Sequence, residues 1–149
     1  MRDEFFWLGQ MNKATIVTNT KIGLLSEELA KKAAKGVQAV LDAGDADPAN
    51  RVSRVIQFEP KLIAAAGPEV TVIHVGRSSQ DMHSTYRATM MRDNVLRLAG
   101  QLEVMMAKLV ELAEEHKDTI LPSYTNGVAA QPTTFAHHIL DFLAGFKRD

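Results

Sequence analysis

Apolar residues in this chain fall mostly at helical spacing, broken by a few short polar stretches. Phe5, Phe6, Trp7 and Leu8 open a mixed segment that runs to Gly23, and the pattern predicts a helix over about 4–20. Ser26 is a good N-cap, with Glu27 and Glu28 favourably placed at the positive end of a helix dipole. The helix that follows carries Leu29, Ala33, Val37, Val40 and Leu41 on one face and stops near Gly44. Asp45-Ala46-Asp47-Pro48 reads as a turn. Residues 51–66 hold Val52, Val55, Ile56, Leu62 and Ile63 but are interrupted by Pro60, so two short helical pieces are expected, closed by Gly67-Pro68. Val70-Thr71-Val72-Ile73 reads as a short extended segment.

The clearest element is residues 79–116. Ala88, Met91, Val95, Leu98, Leu102, Met105, Leu109 and Leu112 alternate at steps of three and four, an unbroken heptad stripe. Ala99, Met106 and Ala113 widen that face, as in a helix of a bundle. The methionines fit core packing better than a metal role. About 37 residues at about 1.5 Å each make a rod of about 55 Å, whereas a compact domain of this length is about 40 Å across. Such a rod overhangs its own domain, so a partner chain or further polypeptide is expected to cover it. A last helix is predicted from Pro132, with Phe135, Ile139, Leu140, Leu143 and Phe146 as its stripe. The chain ends at Lys147-Arg148-Asp149 without a glycine or asparagine stop signal, which reads as a cut in a longer polypeptide.

Two polar islands flank the long helix. The first, residues 74–85, contains Gly76, which permits an unusual turn, and Arg77, whose planar fork suits carboxylate or phosphate. Ser78, Ser79 and Gln80 add neutral donors at the helix N-terminus, where free backbone N–H groups favour an anion. Ser78 and Asp81 also make a capping box, and capping and ligand binding are compatible. The second island, residues 125–138, places Thr125, Asn126 and Gln131 in what reads as a loop between two helices. His137 and His138 are adjacent and so point to different faces, which predicts one buried and one solvated ring rather than a shared metal. His74, His83 and His116 have no metal-ligand spacing, and no metal or organic cofactor is expected. Lys117 and Tyr124 are further acid–base candidates by proximity alone.

Composition narrows the picture. The 149 residues suit one ordinary domain, with 46% hydrophobic and 23% charged residues and a net charge of −1. No basic block marks a nucleic-acid partner. The absence of cysteine excludes disulfides, thiolate zinc sites and a cysteine nucleophile, and fits a soluble, cytoplasmic protein. Met1-Arg2-Asp3-Glu4 does not resemble a signal peptide, and no apolar run approaches the roughly 18 residues needed to span a bilayer.

The two islands resemble the first two signature regions of the aspartase/fumarase superfamily, most closely those of argininosuccinate lyases. That family shows H-x-G-R-S-R-N-D before a long helix, matched here by His74, Gly76, Arg77, Ser78 and Asp81. A later P-x-Y-T-H-x-Q-x-A-Q-P-T-T-F-x-H-H is matched by Pro122, Tyr124, Thr125, Ala130, Gln131, Pro132, Thr133, Thr134, Phe135, His137 and His138. The resemblance holds from about 50 to 149, and the opening Phe5-to-Ala14 segment looks like a branch that includes lyases acting on aminopolycarboxylates.

The resemblance implies an all-α fold: an N-terminal helical domain over 1–75, then the start of a central helical bundle over 76–149. It also implies a homotetramer and a site assembled by signature regions from three subunits. The implied reaction is a β-elimination releasing fumarate from an N-substituted aspartate, a small dicarboxylate or amino-acid substrate, as in arginine biosynthesis. On that mapping Arg77, Ser78, Ser79, Gln80, Thr125 and Gln131 bind substrate, and Thr125 and Asn126 occupy the catalytic positions. Three features depart from the family. Its Arg-Asn pair is Ser79-Gln80 here, closer to the S-Q-D of adenylosuccinate lyases and cycloisomerases. The histidine after Thr125 is Asn126, and the G-S-S-x-M-P-x-K-x-N-P serine loop is not in these residues. The alternatives are therefore a C–N lyase for another N-substituted aspartate and a non-catalytic structural homologue.

Overall fold

The computed structural model describes residues 2–148. In chain order it has helix α1 (Glu4–Lys21), helix α2 (Glu27–Ala46), a 3-10 turn at Pro48–Asn50 and helix α3 (Val55–Ala66). A second 3-10 segment at Pro68–His74 leads into helix α4 (Ser79–Glu115), strands β1 (Ile120–Thr125) and β2 (Val128–Thr134), and helix α5 (Phe135–Arg148). The chain divides into two compact units, Met1–Asp93 and Asn94–Asp149. The fold is all-α apart from one two-stranded ribbon among the described residues.

In the first unit, α1, α2 and α3 bury Phe5, Leu8, Ile16, Ala33, Val37, Val40, Phe58 and Leu62 in one core, closed by Val70, Ile73, Met82 and Tyr86. Close helix approach depends on Gly36, where a Cβ would overlap Ala66. The start of α1 is pinned twice. Asp3 accepts the Phe6 N–H at 3.0 Å as its N-cap. It also receives a bidentate pair from Arg51, at 2.9 and 2.7 Å. The Arg51 guanidinium beside it holds the Asp3 carboxyl below the usual carboxylate range, and the same cation lies 4.8 Å from the Phe5 ring centroid.

Three expectations about elements are corrected. Residues 55–66 form one helix with Pro60 inside it, not two pieces. The carbonyl that Pro60 leaves unpaired is that of Ile56, which is 72% exposed, so water can satisfy it while Val55, Phe58, Leu62 and Ala66 anchor the other face. Val70–Ile73 is a 3-10 segment rather than extended chain. Side chains three apart eclipse in that geometry, and Val70 and Ile73 are both fully buried as a result. Pro132 does not start the last helix; it lies in β2 opposite Pro122, and α5 begins at Phe135. Thr134 supplies the cap, its hydroxyl accepting the His137 N–H at 3.2 Å.

In the second unit, Ala113, Ala136 and Ile139 form a small core with Leu109 and Phe135. The heptad stripe on α4 exists as a helix face, yet much of it is open in the single chain: Met91 is 69%, Val95 57% and Leu98 64% exposed. No helix among the described residues is long and apolar enough to cross a membrane.

Candidate active site

The first island is built where the 3-10 segment turns into α4. Gly76 has φ +81°, a left-handed conformation that lets the chain reverse before the helix. Ser78 then closes the capping box with Asp81. Its backbone N–H and hydroxyl both donate to Asp81 Oδ2, at 2.7 and 2.8 Å, and the Asp81 N–H donates back to Ser78 Oγ at 3.2 Å. These bonds from Ser78 hold the Asp81 carboxyl below its ordinary range. Ser79 and Gln80 are the first two residues of α4, so their N–H groups precede any intrahelical acceptor, and both residues are exposed. The result is a capped helix end carrying one hydroxyl, one amide and two free backbone donors.

Arg77 behaves differently from its neighbours. Its Nη1 donates to Thr15 Oγ1 at 2.6 Å and to the Met11 carbonyl at 3.3 Å. Its Nη2 bonds Asn12 Oδ1 and lies 3.4 Å from His74 Nδ1. Burial pushes the guanidinium pKa down to about 10, partly offset by Glu59, so it stays charged at neutral pH. His74 is half-buried, with Nε2 3.7 Å from Glu59 Oε1. Burial, then the neighbouring Arg77 charge, lowers its pKa below the ordinary histidine value, against a raising effect of Glu59. His83 takes a structural place, its Nε2 accepting the Val55 N–H at 3.4 Å at the uncapped start of α3.

The second island is a β-hairpin, not the expected loop. Thr125 pairs with Val128 across the two-residue turn Asn126-Gly127. Both turn residues have positive φ, 51° and 79°, as a type I′ hairpin turn requires. Asn126 is thus at a position that asparagine tolerates well, and the Asn-Gly pair was the sequence signal for this hairpin. Register shifts between Pro122 and Tyr124, so that Ser123 faces both Ala130 and Gln131. Gln131 therefore sits in a β-bulge, a device that re-aims side chains near functional sites. Thr125, Asn126 and Gln131 are all exposed. His137 and His138 are both exposed as well, which corrects the expectation that one is buried. The small residue Ala136 and Ile139 fill the buried face of α5 instead. Arg77, Ser78, Ser79 and Gln80 thus belong to the first unit, and Thr125, Asn126 and Gln131 to the second.

A family model described as Lyase matches residues 3–149. The chain belongs to that lyase family. Within the family, the argininosuccinate lyase of Methanocaldococcus jannaschii is 36% identical over 133 residues, covering 85% of this chain and 27% of that protein. The argininosuccinate lyase of Caldanaerobacter subterraneus subsp. tengcongensis is 32% identical over 130 residues, covering 87% and 30%. A solved structure of an EDDS lyase variant with bound fumarate matches with a TM-score of 0.90 at 25% identity, over 97% of this chain and 29% of that one. EDDS lyase in complex with formate matches to the same degree. A 3-carboxy-cis,cis-muconate lactonizing enzyme from Pseudomonas putida shares the fold, with a TM-score of 0.77 at 17% identity. These relatives place the lyase chain in the fumarase/aspartase superfamily. The chain spans about 27% to 30% of the length of the argininosuccinate lyases named.

Proposed function

We propose that the polypeptide carrying this lyase chain is a C–N lyase of the argininosuccinate lyase type, which releases fumarate from an N-substituted aspartate. The observation that carries the reading is the open end of α4. The capping box satisfies Ser78 and Asp81, while the Ser79 and Gln80 donors are left for an anion. Ser78, Ser79 and Gln80 hold one substrate carboxylate there, with Arg77 behind them, and in this reading Thr125 and Gln131 of another subunit supply further donors. A base removes the Cβ proton, the electron pair moves into the adjacent carboxylate as an aci-carboxylate, and collapse of that species breaks the C–N bond. The amine leaves protonated and fumarate remains. Donors aimed at the growing carboxylate charge stabilise that step more than the ground state, which is electrostatic preorganisation. Thr125 and Asn126 lie at the turn nearest the reacting atoms in this reading. The enzyme works as a homotetramer in the cytoplasm, without metal or organic cofactor.

A second reading has a specific observation behind it. Ser79-Gln80 replaces the family's Arg-Asn, which removes a cationic fork for one of argininosuccinate's carboxylates, and the solved EDDS lyases match over nearly the whole chain. The substrate is then an aminopolycarboxylate with an N-substituted aspartate half. Ultraviolet detection of fumarate, with the longest natural form of the polypeptide, tests both readings. Turnover of argininosuccinate supports the first, and turnover of an aminopolycarboxylate alone supports the second. No fumarate from any N-substituted aspartate sinks both and leaves a non-catalytic homologue.

A further inference from the structure

Arg77 stands inside a motif that faces substrate in the proposed reading, yet its own hydrogen bonds run the other way. A guanidinium has five N–H donors. The four on Nη1 and Nη2 are matched to Thr15 Oγ1, the Met11 carbonyl, Asn12 Oδ1 and His74 Nδ1. The fifth, on Nε, is buried without an acceptor among the described residues. The four terminal donors are thus engaged within the protein, and the fifth is shut away from solvent. Asn12 is itself 1% exposed in the middle of α1, so the acceptor is a built part of the core and not a surface encounter. Acceptance by His74 Nδ1 requires the neutral ring, in keeping with its lowered pKa.

From this geometry we infer that Arg77 is a positioning residue, clamped by Asn12 and Thr15 of α1 to fix the Ser78–Gln80 turn in place for a dicarboxylate. The inference rests on the reading that Ser79 and Gln80 meet a substrate carboxylate. The chain immediately before Arg77 is Gly76, whose left-handed φ belongs to a turn closed by the Arg77 N–H on the His74 carbonyl at 3.2 Å. The chain immediately after it is Ser78, locked to Asp81. A single peptide therefore separates the anchored guanidinium from the capped helix end. Movement of Arg77 passes directly to the donors of Ser79 and Gln80, and without the clamp the turn is held only by that bond to the His74 carbonyl and by Met82 one turn further on.

Thr15→Val tests this, because valine keeps the shape and removes the acceptor, while Thr15→Ser keeps the acceptor. Two readouts are needed. The first is KM and kcat for fumarate release by the longest natural polypeptide. The second is amide hydrogen exchange at Asp81 and Met82, compared with Leu62 in the core of α3. Thr15→Val is expected to raise KM by roughly tenfold with kcat changed less than about twofold, since the Ser78–Gln80 turn is read as holding the carboxylate that gains no charge, a contact that ground state and transition state share. Exchange at Asp81 and Met82 is expected to quicken while Leu62 is unchanged, and Thr15→Ser is expected to behave as the wild type. An unchanged KM, or exchange that quickens equally at Leu62, overturns the inference. If the wild type releases no fumarate, the proposed function falls, and the exchange contrast alone decides the clamp. Selective quickening reversed by Thr15→Ser upholds it, and no quickening at Asp81 overturns it.

Discussion

At the scale of single residues, the chemistry near α4 was partly legible. Ser78 and Asp81 announce a capping box by their spacing, and the structure forms it. Arg77 shows the limit of that reading, because its acceptors on α1 lie 62 and 65 positions away in sequence and no local pattern can supply them. Asn126 shows a different limit: set beside a family histidine it looks like a lost acid–base group, while its φ of 51° before Gly127 makes it a turn residue. His74 yields a pH prediction with a definite sign. Its folded pKa lies below the ordinary value of 6.5, through burial and then Arg77. The unfolded chain therefore binds the extra proton in the window between the lowered pKa and 6.5. His74 contributes its full stability above that window and loses it as pH falls through it. Urea midpoints measured across mildly acidic pH are expected to fall toward acid in the wild type. The fall is expected to be shallower in His74→Gln, which has no imidazole to protonate, and equal slopes would remove His74 as the cause.

At the scale of elements, periodicity gave α2 and α4 to within a residue or two, because each has several turns of regular apolar spacing, while the mixed α1 segment, whose buried face includes Gly9, Asn12 and Asn19, was bounded by its aromatic start and Gly23. The misread elements are short or contain proline. Val70 and Ile73 look like strand residues by their branching, but period three rather than two buries both. The hairpin at 120–134 lacks an alternating apolar pattern, and only its Asn-Gly turn marks it. Pro60 reads as a breaker, yet tertiary packing of α3 outweighs the lost hydrogen bond. That gives a test in the stabilising direction. Pro60 is exposed, so alanine there leaves no cavity, restores an N–H for the Ile56 carbonyl and removes the ring clash. Proline costs about 3 kcal/mol relative to alanine in a helix interior, and its stiffening of the unfolded chain returns up to about 1 kcal/mol. Pro60→Ala is accordingly expected to gain about 2 kcal/mol in denaturant unfolding, and a loss of stability would show that α3 does not need the missing bond.

At the scale of the molecule, the sequence foretold an apolar rod that its own chain does not cover, and α4 carries such a face. Met91, Val95 and Leu98, neighbours on the stripe, are each more than half exposed, while Leu96 and Val104, 58% and 63% exposed, lie on other faces of the helix. Contiguous apolar surface of this kind on a rigid helix is unfavourable in water and is the usual mark of an interface. The heptad spacing selects helix-on-helix packing as the way to cover it, with knobs from one chain entering holes on another. A homotetramer is the assembly that the lyase reading proposes, and it makes the stripe decisive for both association and activity. Leu98 is 64% exposed, so a charged side chain there has solvent in the single chain and loses it only on association. Leu98→Glu is therefore expected to leave helix content and the first unit's core intact while shifting sedimentation toward monomer. Fumarate release should disappear together with the assembly, since the site draws on more than one subunit in this reading. A wild-type protein that sediments as a monomer at micromolar concentration would overturn the tetramer. A Leu98→Glu protein that dissociates yet still turns over would instead show that each chain carries a complete site.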